Sequence, residues 1–196
     1  MTNSEVMHTY SLPALDEILQ SDFRNRFGLN RAGQYGVACR EPARELARAE
    51  ALGAGPFFPA KIAAPNWIEN GKRQPCRLDI ALGYVGDAQL EFLGPGKGTS
   101  FYQEALQGRE SVLHHVGVFQ NNSKELERRL NAVGFATVVD GGVSRGRSLG
   151  FRFKYFDTRV AIGCYLEILD FYLFGRPLSI EQPVKRLAGL RKRIRR

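Results

Sequence analysis

Cysteine is sparse. Three residues, Cys39, Cys76 and Cys164, lie far apart and form no Cys-x-x-Cys pair. This argues against a disulfide framework or a zinc knuckle and leaves each thiol as a small, reduced apolar residue in a strand. No apolar run approaches the ~20 residues that span a bilayer. The start of the chain has neither the basic stretch nor the apolar stretch of a secretory leader. A cytoplasmic protein with no membrane partner is expected. A one-signed body is missing too. The formal net charge is +8, yet eight of the 28 basic residues, with the one acid Glu181, fall between 176 and 196. Residues 1–175 therefore hold 20 of the 28 basic and 19 of the 20 acidic residues. So balanced a body has no global field to gather nucleic acid, and the basic tail reads as a solvated chain end.

What is present is ordinary for a folded domain. Apolar residues make up 43% and charged residues 24%, which suits one compact domain or two small modules sharing a core. Residues 1–32 read as an extension. Within it Leu12, Leu15, Ile18 and Leu19 fall at helical spacing behind Pro13, so a short amphipathic helix is expected to pack on the body or on a partner. From Gln34 the pattern changes. QYGVAC is a short strand; Glu41 and Pro42 open a helix with Leu46, Ala49 and Leu52 on one side, closed by Gly53. FFPAKIAA reads as a strand, residues 65–75 as a loop, and CRLDIALGYV and AQLEFL as two strands around a turn near Gly86 and Asp87.

That order, β-α-β-β-β, then recurs. VLHHVGVF is a strand, and Asn122 with Glu125 resembles a capping box. Leu126, Leu130 and Val133 continue a helix that ends at Gly134. FATVVD, FRFKYFD and AIGCYLEILDF are strands, with a Gly- and Ser-rich loop over residues 141–150. A fixed offset tests the repeat. An offset of 81 pairs Gln34 with His115, Gly36 with Gly117, Val37 with Val118, Arg48 with Arg129, Ala51 with Ala132 and Gly53 with Gly134; the closing Glu91 and Glu167 match at 76. The organisation expected is an extension (1–32), a first module (33–95), a linker (96–111), a second module (112–172) and a basic tail (173–196). The GPGKG run from Gly94 to Gly98 lacks the strand-to-helix pattern of a phosphate loop and is read as linker.

Side chains alternate faces along a strand. Gln34, Gly36 and Ala38 share one face, and His115, Gly117 and Phe119 the equivalent face of the second copy. Glu91 and Glu167 sit inside strands otherwise rich in Leu, Ile and Phe, where an unpaired charge is costly. Singly, each polar residue suits a core or the rim of a cup. Four at repeat-equivalent positions point instead to one metal ion between the modules. Asp79, Tyr84, Arg152, Lys154 and Tyr155 are candidates to line or flank the cup. By alternation His114 should face away from His115, and His8 lies in the extension.

The run LHHVGVF, the upstream LDIALGYVGDAQLEFL, the FYQEAL before the second module and the closing YLEILDF resemble the vicinal oxygen chelate superfamily. The similarity covers about residues 33–172 and is greatest to the branch containing methylmalonyl-CoA epimerase and glyoxalase I. The resemblance implies an α+β fold, two tandem βαβββ modules forming a cup-shaped mixed sheet. It implies ligands from the first and last strands of each module, here Gln34, Glu91, His115 and Glu167. A Gln/Glu/His/Glu set occurs in glyoxalase I enzymes; the epimerases more often begin with His, so Gln34 departs from their pattern. Three oxygen donors and one imidazole suit a six-coordinate divalent ion, Zn, Co, Ni, Mn or Mg, with two open positions. A two-His-one-carboxylate iron site would need a second His. The function implied is a metal-dependent isomerase, epimerase or lyase that passes through an enediolate or enolate, acting on a small carbonyl or thioester substrate. Glu167 would be ligand and base, and Glu91 would take the second proton-transfer role. The alternative is a small-molecule sequestering protein of the same fold. A homodimer is expected because the superfamily commonly dimerises.

Overall fold

The computed structural model describes residues 3–121, 123–145, 149–174 and 176–177. The Asn122 cap and nearly all of the basic tail lie outside them. Three short helices come first, α1 (Asn3–Thr9), α2 (Leu15–Ile18) and α3 (Ser21–Phe27). The first repeat follows as β1 (Gln34–Cys39), α4 (Pro42–Ala51), β2 (Phe58–Ala64), the small hairpin β3 (Ile68–Glu69) and β4 (Lys72–Arg73), then β5 (Cys76–Val85) and β6 (Ala88–Leu93). After α5 (Phe101–Leu106) the second repeat runs through β7 (Ser111–Phe119), α6 (Ser123–Asn131), β8 (Thr137–Arg145), β9 (Leu149–Phe156), α7 (Arg159–Ile162) and β10 (Tyr165–Leu173); β11 (Arg176–Pro177) pairs with β10.

Among the described residues all strands join one mixed sheet, in the order β2-β5-β6-β1-β7-β10-β9-β8-β3-β4 with β11 beside β10 off that path. The order is a palindrome of two modules. Within each, the first and last strands are parallel neighbours (β1 with β6, β7 with β10), and the remaining pairs are antiparallel. The modules meet where β1 runs antiparallel to β7. Repeat-equivalent glycines close the two module helices, Gly53 with φ of 93° and Gly134 with φ of 90°, a conformation that L side chains rarely adopt. The sheet curls until β3, only four residues beyond β2 in sequence, pairs with β8 at the far end of the module palindrome.

Period-two alternation divides the central strands between two apolar clusters. Tyr35, Val37, Leu90, Phe92, Val116, Val118, Leu166 and Ile168 pack outward, under the helices. Ala38, Leu93, Leu169, Phe153 and Tyr155 pack inward with Trp67 and with Phe101 and Tyr102 of α5. The extension packs on this chain's own body, through Val6, Tyr10, Leu19 and Phe27. Tyr10 donates from its hydroxyl to Oε2 of the buried Glu45 at 2.9 Å.

Several local expectations need correction. Residues 141–145 and 149–150 are strand rather than loop, continuing β8 and opening β9 with pairs from Gly141↔Phe153 to Arg145↔Leu149, and Ala161 and Ile162 belong to α7 rather than to the closing strand, which starts at Tyr165. Residues 65–75 are not simply a loop, because they contain the β3–β4 hairpin. Its turn is Asn70-Gly71 with φ of 48° and 78°, the pair of left-handed residues a tight hairpin needs. His114 does not face away from His115. Gly36 pairs with His115 but Val37 pairs with Leu113, so His114 is the extra residue of a β-bulge. The bulge resets the alternation and turns both imidazoles inward.

Candidate metal centre

Four strands at the middle of the sheet, β6, β1, β7 and β10, set out the site as two adjacent rows. One row reads Glu91, Gly36, His115, Tyr165; the next reads Gln89, Gln34, Gly117, Glu167. Each row carries a glycine on one of the two inner strands. These glycines open a hollow in the sheet surface, and the four side chains around it belong to Gln34, Glu91, His115 and Glu167. The space is not incidental: a methyl group on Gly117 would lie 2.3 Å from Oε1 of Gln34. The pseudo-two-fold axis between β1 and β7 exchanges Gln34 with His115 and Glu91 with Glu167.

The tips converge. Nε2 of His115 lies 3.1 Å from Oε2 of Glu167 and 3.7 Å from Oε2 of Glu91. One donor atom from each of the three lies within 4.8 Å of the others. Gln34 Nε2 donates to Glu91 Oε2 at 3.1 Å. Two ligands at right angles, each about 2.1 Å from one ion, are about 3.0 Å apart, and at tetrahedral angles about 3.4 Å apart. The separations around His115 are close to that scale.

All four side chains are buried, with His115 completely so. Gln34 Oε1, His115 Nε2 and Glu167 Oε2 are nevertheless left without a hydrogen bond. Three orphaned acceptor-capable atoms on repeat-equivalent positions are expensive in a core. A divalent cation would satisfy them together, so the residues fit a metal ion. Gln34 would join through its amide oxygen, which a 180° turn of the amide exchanges with the nitrogen now facing Glu91. Burial and the facing charge of Glu167 push the Glu91 carboxyl well above its ordinary range, the behaviour of two carboxylates sharing one small space.

Above the centre lies a cavity of about 320 Å³. Its floor holds Gln34, Glu91 and Glu167, and its walls are largely apolar, with Ile62, Ile80, Leu82, Phe119, Phe151 and Phe171 among them. Tyr155 also lines it, and Tyr102 donates from its hydroxyl to that of Tyr155 at 3.1 Å. Burial first, and then the charge of Glu167, push both phenols well above the usual tyrosine range. They therefore act as neutral hydrogen-bonding groups.

Of the other sequence candidates, only Tyr155 lines the cavity. Asp79 is exposed and sits 3.9 Å from Lys61. Arg152 lies over the ring of Tyr172, and Lys154 is tied to Glu127 and Asp140. Tyr84 is buried outside the lining. Sequence reading missed Gln89, Tyr102 and the apolar walls as cavity residues. Alternation could have found Gln89, two residues before Glu91 on the same face. It missed His114 as well, whose Nδ1 lies 3.1 Å from Nδ1 of His115.

No family model matches the sequence, and no curated protein does. Solved structures do match. A variant of the methylmalonyl-CoA epimerase from Streptomyces coelicolor, solved with 2-nitronate-propionyl-CoA, is 15% identical with a TM-score of 0.51, over 72% of this chain and 96% of that one. A methylmalonyl-CoA epimerase solved with methylmalonyl-CoA is 16% identical, also at 0.51, over 72% and 94%. A variant of 4-hydroxymandelate synthase from S. coelicolor is 12% identical at 0.51, over 86% of this chain and 56% of that one. The fold is that of the vicinal oxygen chelate proteins, as the sequence resemblance implied.

Proposed function

We propose that this chain is a divalent-metal enzyme that moves a proton at the carbon beside a substrate carbonyl, as an isomerase, epimerase or lyase. The observation that carries the reading is the convergence of Glu91, His115 and Glu167, with Gln34 bonded to Glu91, beneath a cavity whose floor holds Gln34, Glu91 and Glu167, with three of the polar atoms of these four residues unsatisfied. These four would hold the ion, which, when bound, polarises the substrate carbonyl as a Lewis acid. All four come from one chain, so the site needs no partner subunit; homodimerisation remains part of the proposal on grounds of resemblance alone.

The protein's own groups do the rest. Glu167 takes the proton from the carbon, and Glu91, related to it by the pseudo-two-fold, serves the second proton transfer. The pair Tyr102–Tyr155 presents neutral hydroxyls beside Glu167, able to orient a substrate oxygen without adding charge. The apolar walls hold the body of the substrate and exclude water, which strengthens each of these interactions. A compact carbonyl compound or the acyl end of a thioester suits the cavity.

The same apolar walls favour one other reading, a protein that sequesters an apolar small molecule without reacting with it. Two measurements separate them. The enzyme reading expects one divalent ion per chain by elemental analysis. It also expects solvent deuterium to enter the carbon beside the carbonyl of at least one member of a panel of thioesters, glutathione hemithioacetals and cyclic ketones. A protein free of metal after loading, or loaded and inert toward the whole panel, would sink the enzyme reading.

A further inference from the structure

A neutral imidazole carries one proton, on Nδ1 or on Nε2, and only the bare nitrogen can hold a metal ion. His115 turns Nε2 toward Glu91 and Glu167, and Nδ1 toward Nδ1 of His114 at 3.1 Å. In that contact one nitrogen donates and the other accepts. If His114 donated, the proton of His115 would sit on Nε2, among the ligand atoms, and block an ion. If His115 donates, Nε2 is bare and aimed at the centre.

The geometry points to His114 as a positioning residue of the metal centre. It accepts the Nδ1–H of His115 and so fixes the tautomer and ring plane in which His115 offers Nε2. This rests on the metal reading above. Metal-bound histidines generally donate their second nitrogen to a carboxylate, a carbonyl or a water; here another histidine takes that place.

Two further observations support the role. The β-bulge that inserts residue 114 is what brings the two rings to one side of the sheet. Without it, alternation would carry His114 to the opposite face. The ring is also clamped. Phe101 stands perpendicular to it at 4.6 Å, Tyr165 lies tilted by 31° at 4.9 Å, and Tyr102 closes on it at 4.9 Å. His114 is only 2% exposed, and its Nε2 has no hydrogen-bond partner among the described residues. A phenyl ring would fill this aromatic shell without burying a bare polar atom. The contact that gives the imidazole a use is the one from its Nδ1 to His115.

The test uses the full chain loaded with Zn²⁺. With ¹⁵N-labelled histidine, two-bond proton–nitrogen correlations report each tautomer. His115 is expected to carry its proton on Nδ1, and His114 on Nε2. Zn²⁺ affinity is then measured by competition with a chromophoric chelator. His114→Phe, which keeps an aromatic ring but removes the acceptor, should weaken binding about 10–100-fold. His114→Asn, whose carbonyl oxygen falls near the lost Nδ1, should recover most of that loss. A merely packing role predicts the reverse order, with Phe equal to the native protein and Asn worse. That order, or a proton found on Nε2 of His115 in the Zn²⁺-loaded native protein, would overturn the proposal. A native protein that holds no stoichiometric Zn²⁺ overturns the metal reading itself, and is seen before any substitution is made.

Discussion

Gly36 and His115 face each other across the strand pair that joins the two modules, and the imidazole fills the volume that a side chain on residue 36 would need. A methyl group there would lie 1.8 Å from Cε1 and 2.1 Å from Nε2 of His115. The ring is completely buried and cannot swing into solvent. Gly36→Ala is therefore expected to displace the proposed ligand as well as strain the core, at about 1–3 kcal/mol for the overpacking. Thermal unfolding reads the strain, and Zn²⁺ titration reads the displacement. A variant with native stability and native Zn²⁺ affinity would show that the hollow between the rows is not needed. Gly117→Ala should act in the same way on Gln34.

Glu91 makes the metal-free protein sensitive to pH. Its folded-state pKa is raised above the ordinary 4.5 by burial and by the charge of Glu167. The folded state thus holds the Glu91 proton more tightly than the unfolded chain. The associated stability is fully present below about pH 4.5 and is lost as pH rises from there through the folded-state value. Chelator-treated protein should lose Tm across that window relative to Glu91→Gln, which has no such proton. Zn²⁺ should oppose the loss, because ionised carboxylates are what the ion binds, and uptake should release protons to a weakly buffered solution. Equal pH slopes for the metal-free native protein and Glu91→Gln would contradict this account.

The thiols give an independent check on the core. Cys39, Cys76 and Cys164 are at most 3% exposed, and burial pushes each up to about 12. Thiolate is the reactive form. At pH 8 a disulfide reagent should find almost no fast thiol in the native protein and three after denaturation. A rapid native thiol would place one of these residues outside the core described above.

How much of this could be read from the sequence follows from what leaves a periodic trace. The offsets that align Gln34 with His115 and Glu91 with Glu167 were legible because strand alternation repeats every two residues and the duplication preserved it. The same rule failed at His114. One inserted residue reverses the face of everything on one side of it, and nothing in LHHVGVF marks which residue is the insertion. The β3–β4 hairpin was hidden differently: Asn70-Gly71 is a turn signal, but the two-residue strands beside it are too short to alternate. The apolar cavity walls come from strands far apart in sequence, and their convergence is a property of the curl rather than of any local pattern.

Tyr10 reports whether the extension is an integral part of the fold. Its hydroxyl directs its one proton to the carboxylate of Glu45 at 2.9 Å, with the Glu45 carbonyl as a second, longer acceptor at 3.1 Å, and Glu45 is itself buried on the module helix. A hydrogen bond to a buried carboxylate is worth about 1.5–3 kcal/mol. Tyr10→Phe should therefore lower the unfolding free energy by an amount in that range, seen as a lower urea midpoint at an unchanged slope, the slope reporting the area exposed on unfolding. A loss below about 0.5 kcal/mol would show that the extension rests on the body without being anchored by this contact.

The sharpest test of the proposed chemistry separates holding an ion from moving a proton. Glu167 is only 3% exposed, and its Oε2 is both unsatisfied and 3.1 Å from the proposed metal-facing nitrogen of His115. Glu167→Gln keeps the shape of the side chain and one oxygen donor but removes the carboxylate base. It also removes one of the two acids that compete for this space, so the metal-free fold should be retained. The expected result is a protein that still binds Zn²⁺, though less tightly, while deuterium exchange at the substrate carbon falls about 10²–10⁴-fold. His115→Ala should instead lower Zn²⁺ affinity first, with exchange lost as a consequence and partly restored at high Zn²⁺ concentration. The contrast matters more than either loss alone. If excess Zn²⁺ restores exchange in Glu167→Gln, then Glu167 is a ligand without a base role, and proton transfer passes to Glu91, its pseudo-symmetric partner. Glu91→Gln should then show the larger loss that no concentration of Zn²⁺ repairs.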